Sequence, residues 1–336
     1  MRRQLLLLAM AALLLAALAL AGCTDDGDTK PNPQPSPTDQ DWVRLIKENY
    51  VLENVDDPQR TLLRDTSGRL VFTLTRGART VVVRGPLRTF TESSTTDAEI
   101  RSTDHVYIAP RPWDGNIDDQ GWARFLIDRL HTTEPDLLEI SLQYLAGSPT
   151  IVSDGQRIAG DAGFGLRGNG DDRDGADFYD YLNAPWKFPD RKSVIQASTK
   201  FDRQLDCSGY LRLVYGFRSG IPLFYGNGVV DGLPRSAWAM ADHAPSVVVA
   251  SSKRSDSPPD DLSRISPGDA VFFALHDDRP GDISHSGIYL GRDNEERMRF
   301  VSARSTANGP TFGDLGGDGV IDDGYFGDRL RRAIRF

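Results

Sequence analysis

Two side chains in the second half of the sequence have the chemistry of a nucleophile and its base. Cys207 begins a run with apolar residues at helical spacing, so its thiol is expected in the first turn of a helix. Unpaired backbone N–H groups at such a position favour thiolate and can hold the oxyanion formed by attack on an amide. His285 opens a predicted strand and could take the thiol proton and later protonate a leaving amine. These two residues could serve a cysteine hydrolase as nucleophile and base, but the pair alone favours the alternative of a buried, inert Cys207 and a surface His285, and the wider resemblance given below decides for the hydrolase.

A helix and an antiparallel sheet must position this pair. The helix after Cys207 should end at Gly220 and Pro222. Apolar runs at 270–275, 284–290 and 298–303 predict three strands. Because their connections are short, we expect an antiparallel meander behind the cysteine helix.

The first half of the chain has a mixed pattern of strands and helices. Residues 70–75 and 80–83 predict a hairpin, and 105–108 predicts another strand. Apolar residues recur at helical spacing over 122–130 and 137–145, whereas 154–175 is rich in Gly and Asp and is expected to be loop. The predicted class is α+β, with a mixed α/β N-terminal domain over 42–174 and a second domain over 175–336.

The N-terminus has the pattern of an export signal. Two arginines precede an apolar run that ends in Leu20-Ala21-Gly22-Cys23, which resembles a bacterial lipobox with Cys23 as the lipidated residue. Residues 24–41 are rich in Asp and Pro and predict a flexible tether. The alternative for residues 1–23 is an uncleaved membrane helix. We expect an exported protein, lipid-anchored on the cell membrane and facing the cell wall.

Composition excludes several classes of function. The 336 residues carry a net charge of -9, which disfavours binding to nucleic acid because like charges repel. Cys23 and Cys207 are the two cysteines, too few for a cysteine metal cluster, and a disulfide between them is the alternative to separate roles. The sequence predicts no metal site and no cofactor, and it does not fix an oligomeric state.

Four blocks in the same order resemble the NlpC family of papain-like cell-wall cysteine peptidases. The blocks are Asp206-Cys207-Ser208-Gly209-Tyr210, Leu233-Pro234-Arg235-Ser236, the segment 267–273 (PGDAVFF) and the segment 285–291 (HSGIYLG). The resemblance covers residues 175–336 and implies a papain-like α+β fold. It also implies cleavage of amide bonds in peptidoglycan stem peptides, typically next to D-glutamate. By position it makes Cys207 the nucleophile and His285 the base, with Asp206 and Ser208 shaping the pocket for the substrate's free amino end.

The third catalytic position departs from the family pattern. A polar residue on the following strand normally orients the imidazole, and Ser302 stands at that place here. A serine hydroxyl can accept a hydrogen bond from an imidazole N–H, although it orients the ring less well than a carboxylate. Asn308 or a backbone carbonyl are the alternatives.

Two other functions are compatible with the same motifs. An amidase or acyltransferase could use the Cys207–His285 pair on another amide, and a lipoprotein could bind wall peptides without cutting them. The N-terminal domain could place the enzyme on the wall or restrict access to Cys207.

Overall fold

The computed structural model describes residues 40–166 and 175–336. The predicted signal peptide, Cys23 and the tether up to residue 39 lie outside the described residues, as does the segment 167–174. In the described part of the chain no helix is both long enough and apolar enough to cross a membrane.

The first half builds a five-stranded antiparallel sheet in the order β1-β2-β3-β4-β5. The strands are β1 (Tyr50–Val55), β2 (Arg60–Asp65), β3 (Leu70–Thr75), β4 (Thr80–Thr91) and β5 (Glu99–Ile108). The predicted hairpin is β3–β4, and the predicted strand at 105–108 is the end of the longer β5. Helices α1 (Gln40–Asn49) and α2 (Gln120–His131) accompany this sheet, and Trp122 and Leu126 of α2 are buried in its core.

A short helix and three short strands connect the two halves. Helix α3 (Leu137–Leu142) is followed by the hairpin β6 (Ile151–Ser153) and β7 (Gln156–Ala159), and then by β8 (Gly163–Phe164). The expectation of loop over 154–175 was therefore wrong for 156–159 and 163–164. Asp154 and Gly155 both have positive φ, the geometry of a tight hairpin turn that Asp-Gly favours.

The second half contains a six-stranded sheet in the order β10-β15-β11-β12-β13-β14. Its strands are β10 (Val247–Ser251), β11 (Ala270–Phe273), β12 (His285–Arg292), β13 (Met298–Arg304), β14 (Gly309–Thr311) and β15 (Leu330–Arg335). The predicted meander is confirmed as β11–β12–β13. The last strand, β15, lies between β10 and β11, a pairing that the sequence pattern did not indicate.

Helices pack around this sheet and carry the candidate nucleophile. They are α4 (Phe178–Leu182), a 3-10 turn (Thr199–Phe201), α5 (Cys207–Leu211), a π-helical continuation (Arg212–Arg218), α6 (Ala237–His243) and α7 (Gly324–Gly327). The two-residue strand β9 (Gln204–Leu205) pairs with β8 in parallel and leads directly into α5. The α+β class is confirmed, with the cysteine helix packed on an antiparallel sheet.

The largest hydrophobic core joins the two halves. It contains Val106 and Leu138 from the first half together with Tyr210, Val214 and Ile288 from the second. Residues 39–336 form one compact unit. The division into domains at residue 174 stays a prediction.

Candidate active site

Asp206 caps the helix that begins at Cys207. Its backbone is extended, and its Oδ1 accepts a hydrogen bond from the Gly209 N–H at 2.6 Å and from the Ser208 hydroxyl at 2.9 Å. Gly209 is needed for close approach, because a Cβ there would lie 2.4 Å from the Ala176 carbonyl oxygen. This cap fixes Cys207 as the first residue of α5.

Arg235 holds the two residues that flank the nucleophile. It donates to the Ser208 Oγ at 2.6 Å, to the Asp206 Oδ2 at 2.6 Å and to the Gly175 carbonyl at 3.0 Å. Asp206 and Ser208 are both buried and both line the cavity described below, but their polar groups are paired within the protein. Sequence reasoning assigned no role to Arg235, although it lies in one of the four motif blocks.

A second buried arginine positions the segment that carries Arg235. Arg212 is fully buried, pairs with Asp177 at 2.9 Å, and donates to the carbonyls of Leu233 and Pro234. These bonds tie the motif at 233–236 to the helix of the nucleophile. The apolar spacing of the residues after Cys207 did not predict that Arg212 would be buried.

Cys207 is partly exposed, yet its sulfur is closely surrounded by protein. The Sγ atom lies 3.9 Å from the Ser284 carbonyl oxygen. Burial and then the neighbouring Asp206 raise the pKa of Cys207 to about 12, while donors from Ser286 and the more distant Arg235 lower it. The sequence led us to expect a lowered pKa that favours thiolate, whereas the surroundings of Cys207 raise its pKa and favour the neutral thiol.

His285 is the first residue of β12, and its ring packs among aromatic side chains. The ring stacks on Phe326 at a centroid distance of 5.7 Å and lies 5.9 Å from Phe273. Its Nε2 is buried and has no hydrogen-bond partner among the described residues. Burial first, and then the positive charge of Arg304, lower the pKa of His285 to about 3, so the imidazole is neutral.

Ser302 and Asn308 were the candidates to orient this ring. The fully buried Ser302 accepts a hydrogen bond from the Arg304 Nε at 3.0 Å, whereas Asn308 is exposed in a turn with φ of 54°. Ile288 pairs with Val301, and continuing that register sets Arg304, rather than Ser302, opposite His285. The Arg304 guanidinium also lies over the Phe326 ring at 4.7 Å, so the same ring contacts both His285 and Arg304. Ser302 remains a predicted third residue without a hydrogen bond to His285 here.

Cys207 and His285 open into one cavity but are not hydrogen-bonded to each other in this structure. The cavity has a volume of about 1200 Å³. Its lining includes both residues, and also Asp206, Ser208, Arg304 and the half-exposed Trp238. Both residues therefore border the same space, and their pKa values favour a neutral thiol and a neutral imidazole.

Comparisons with known proteins give matches among solved structures. No family model matches the chain, and no curated protein does. A Staphylococcus aureus protein described as similar to lipoprotein of the NLP/P60 family is 19% identical, with a TM-score of 0.26 over 67% of this chain and 50% of that chain. An NlpC/P60 family protein from Bacillus cereus is 13% identical, with a TM-score of 0.27 over 85% of this chain and 79% of that one. NlpC2 from Trichomonas vaginalis is 14% identical, with a TM-score of 0.26 over 85% and 92%.

The chain is similar to NlpC/P60 proteins. The descriptions of these structures name the family whose motifs the four sequence blocks resemble. This chain spans half the length of the Staphylococcus aureus protein. Because the TM-scores are this low, no residue role is transferred from these structures to this chain. The chemistry of this site therefore rests on its own geometry.

Proposed function

We propose that this protein is a cysteine hydrolase that cleaves amide bonds in peptidoglycan stem peptides. The observation that carries the proposal is the shared cavity of Cys207 and His285, with Cys207 at the start of its helix. A cavity of about 1200 Å³ is large enough for a peptide of several residues. The resemblance of the four blocks adds the substrate class and a cleavage point next to D-glutamate.

The proposed reaction starts from the neutral pair. The Cys207 thiol gives its proton to the free imidazole of His285 as the sulfur attacks the amide carbonyl carbon. The tetrahedral intermediate collapses when His285 protonates the leaving amine, which leaves an acyl group on Cys207. Water, deprotonated by His285, then attacks the acyl carbon and releases the carboxylate and the thiol. Substrate must bring the sulfur and the imidazole into proton-transfer reach.

Digestion of purified muropeptides followed by mass spectrometry tests this proposal. We expect the wild-type protein to release peptide fragments, and we expect Cys207→Ala and His285→Ala each to lose at least about a thousandfold in rate. The masses of the products also separate hydrolysis from acyl transfer and identify the bond that is cut. Full activity in Cys207→Ala would refute the proposal.

A second candidate is a lipoprotein that binds wall peptides without cutting them. The neutral thiol and the lack of a hydrogen bond between Cys207 and His285 favour this alternative. Calorimetric titration of muropeptides into wild type would then show binding while mass spectrometry shows no cleavage. Cleavage by wild type but not by Cys207→Ala would exclude it.

We also propose that Cys23 anchors the mature protein to the membrane by its lipid. Support comes from the lipobox-like Leu20-Ala21-Gly22-Cys23 and from the polar, proline-rich segment after it. Radiolabelled palmitate should enter the wild-type protein, and Cys23→Ser should leave the precursor unprocessed or release it from the membrane fraction. If palmitate does not enter wild type, the anchor is wrong.

A further inference from the structure

Helix α5, which begins at Cys207, packs on the side of β12 that carries Ser286. Side chains alternate along a strand, so Ser286 shares a face with Ile288 and Leu290, and these two lie in the core with Tyr210 of the cysteine helix. Ser284 lies two residues before Ser286 along the chain, and its carbonyl oxygen is 3.9 Å from the Cys207 sulfur. His285 lies between these two serines, and its ring packs on Phe273 and on Phe326, which also lines the cavity of Cys207.

Ser286 carries a fully buried hydroxyl. Among the residues that the structure describes, its Oγ has no hydrogen-bond partner of normal geometry. An unsatisfied buried hydroxyl is costly, because it gives up its hydrogen bonds to water. A hydroxyl buried at this place therefore calls for a partner, and the helix that begins at Cys207 packs against this face of the strand.

We propose that Ser286 is a positioning residue whose hydroxyl donates a hydrogen bond to the Cys207 sulfur as negative charge develops there. A hydroxyl donates more strongly to an anion than to a neutral thiol, so the bond is strongest when the sulfur is ionised. The Ser286 hydroxyl and backbone N–H already lower the pKa of Cys207, against the larger effects of burial and Asp206. The catalytic consequence rests on the proposed hydrolase function, but the effect on the thiol does not.

The test measures the rate at which iodoacetamide alkylates Cys207 between about pH 7 and about pH 10. The full chain is used, and peptide mass spectrometry separates Cys207 from Cys23. We expect Ser286→Ala to slow alkylation about tenfold at each pH, because a hydrogen bond to a charged group has been lost. A role in packing alone would change the melting temperature without moving this pH profile.

Three further variants complete the design. Ser286→Thr keeps the hydroxyl and adds a methyl group. Ser286→Val has the shape of the Thr variant but lacks the hydroxyl, so any strain from the larger side chain is common to both variants. We expect the Thr variant to alkylate like wild type and the Val variant to be slow. Ser284→Ala is the matched control, because its hydroxyl accepts from the Leu275 N–H while its carbonyl stays in place, and it should alkylate like wild type.

The outcomes are distinct for the two proposals. Equal alkylation of the Thr and Val variants, or equal slowing by Ser284→Ala, would overturn the role of Ser286. If wild type does not cleave muropeptides while Ser286→Val still slows alkylation, the hydrolase proposal fails and the assignment of Ser286 stands. In an active enzyme, Ser286→Val should lower kcat with little change in KM, since the bond forms on the reacting sulfur.

Discussion

At the scale of single residues, this site has two reactive groups that burial keeps neutral. The pKa of Cys207 is raised to about 12 and that of His285 is lowered to about 3, in each case mainly because the charged form loses water. Proton transfer from the thiol to the imidazole therefore has to occur during the reaction rather than before it. Two predictions follow from this order of events.

The first concerns the pH dependence of hydrolysis. Because His285 is neutral above about pH 3, it should act as a base throughout the neutral range, and its titration should give no acidic limb near pH 6.5. Because Cys207 titrates at about 12, the neutral pair from which the proposed reaction starts is the main form throughout this range, and kcat/KM should be nearly constant from about pH 6 to about pH 10. Initial rates across buffers of constant ionic strength measure this profile. A bell-shaped optimum with an acidic limb at an ordinary histidine pKa would contradict it.

The second prediction concerns Arg304. Burial is the larger cause of the low pKa of His285, and the positive charge of Arg304 lowers that pKa further. Arg304→Gln removes the charge, so the pKa of His285 should rise while burial still keeps it below 6.5. Titration of the histidine ring signals by NMR measures the shift directly. Arg304→Lys keeps the charge and should shift the pKa less, and Ser302→Ala should not shift it. An unchanged His285 pKa in Arg304→Gln would remove Arg304 from this role.

At the scale of elements, the start of α5 depends on a buried ion pair as well as on a helix cap. Asp206 accepts the Gly209 N–H and also pairs with Arg235 at 2.6 Å, and both side chains are largely buried. A buried ion pair that loses one partner leaves an uncompensated charge, which is why such changes are strongly destabilising. The motif Asp-Cys-Ser-Gly therefore has a structural reason for its first residue besides any contact with substrate.

Asp206→Asn tests this structural reason. The amide oxygen can still accept the Gly209 N–H, but the charge opposite Arg235 is lost, so the free energy of unfolding should fall by about 3 kcal/mol. Urea denaturation followed by tryptophan fluorescence measures it. Asp260→Asn is the control, since Asp260 pairs with Lys253 on the surface and its loss should have no resolvable effect. Equal stability of Asp206→Asn and wild type would show that the cap alone fixes the helix.

At the scale of the whole molecule, the end of the chain is built into both sheets. The Phe336 carbonyl oxygen accepts hydrogen bonds from the backbone N–H groups of Arg79 and Thr80, and its ring packs on Tyr215 at 4.8 Å. Arg335 pairs with Asp269 and also donates to the Thr75 hydroxyl of β3. The two halves of the chain thus share polar contacts in addition to the large hydrophobic core.

A fragment of residues 175–336 should not fold on its own, although it carries all four motif blocks. It lacks Val106 and Leu138 of the shared core and the partners of Arg335 and Phe336 in the first half. We expect a poorly dispersed NMR spectrum and no cooperative melting for the fragment, against a sharp transition for residues 40–336. A fragment with a dispersed spectrum would instead confirm a domain boundary near residue 174.

The sequence by itself determined the local elements and the candidate chemistry. Strong periodicity predicted α2, the β3–β4 hairpin and the β11–β12–β13 meander, because burial of one face leaves its period in the sequence. The motif at 206–209 placed Cys207 at the start of a helix. Arg235 also lay in a motif, but its partners could not be read from spacing, since they come from separate segments of the chain.

Only the tertiary structure decided which groups surround the reactive atoms. Strand β15 contains Arg331, Arg332 and Arg335, so its pattern did not suggest a central strand, and the ion pair with Asp269 is what allows that burial. In the same way, the tertiary structure set Phe273 opposite His285 and brought Arg304 close enough to lower the pKa of that histidine. A one-residue change of register reverses the face of every side chain, and that choice is made by packing between distant segments rather than by local sequence.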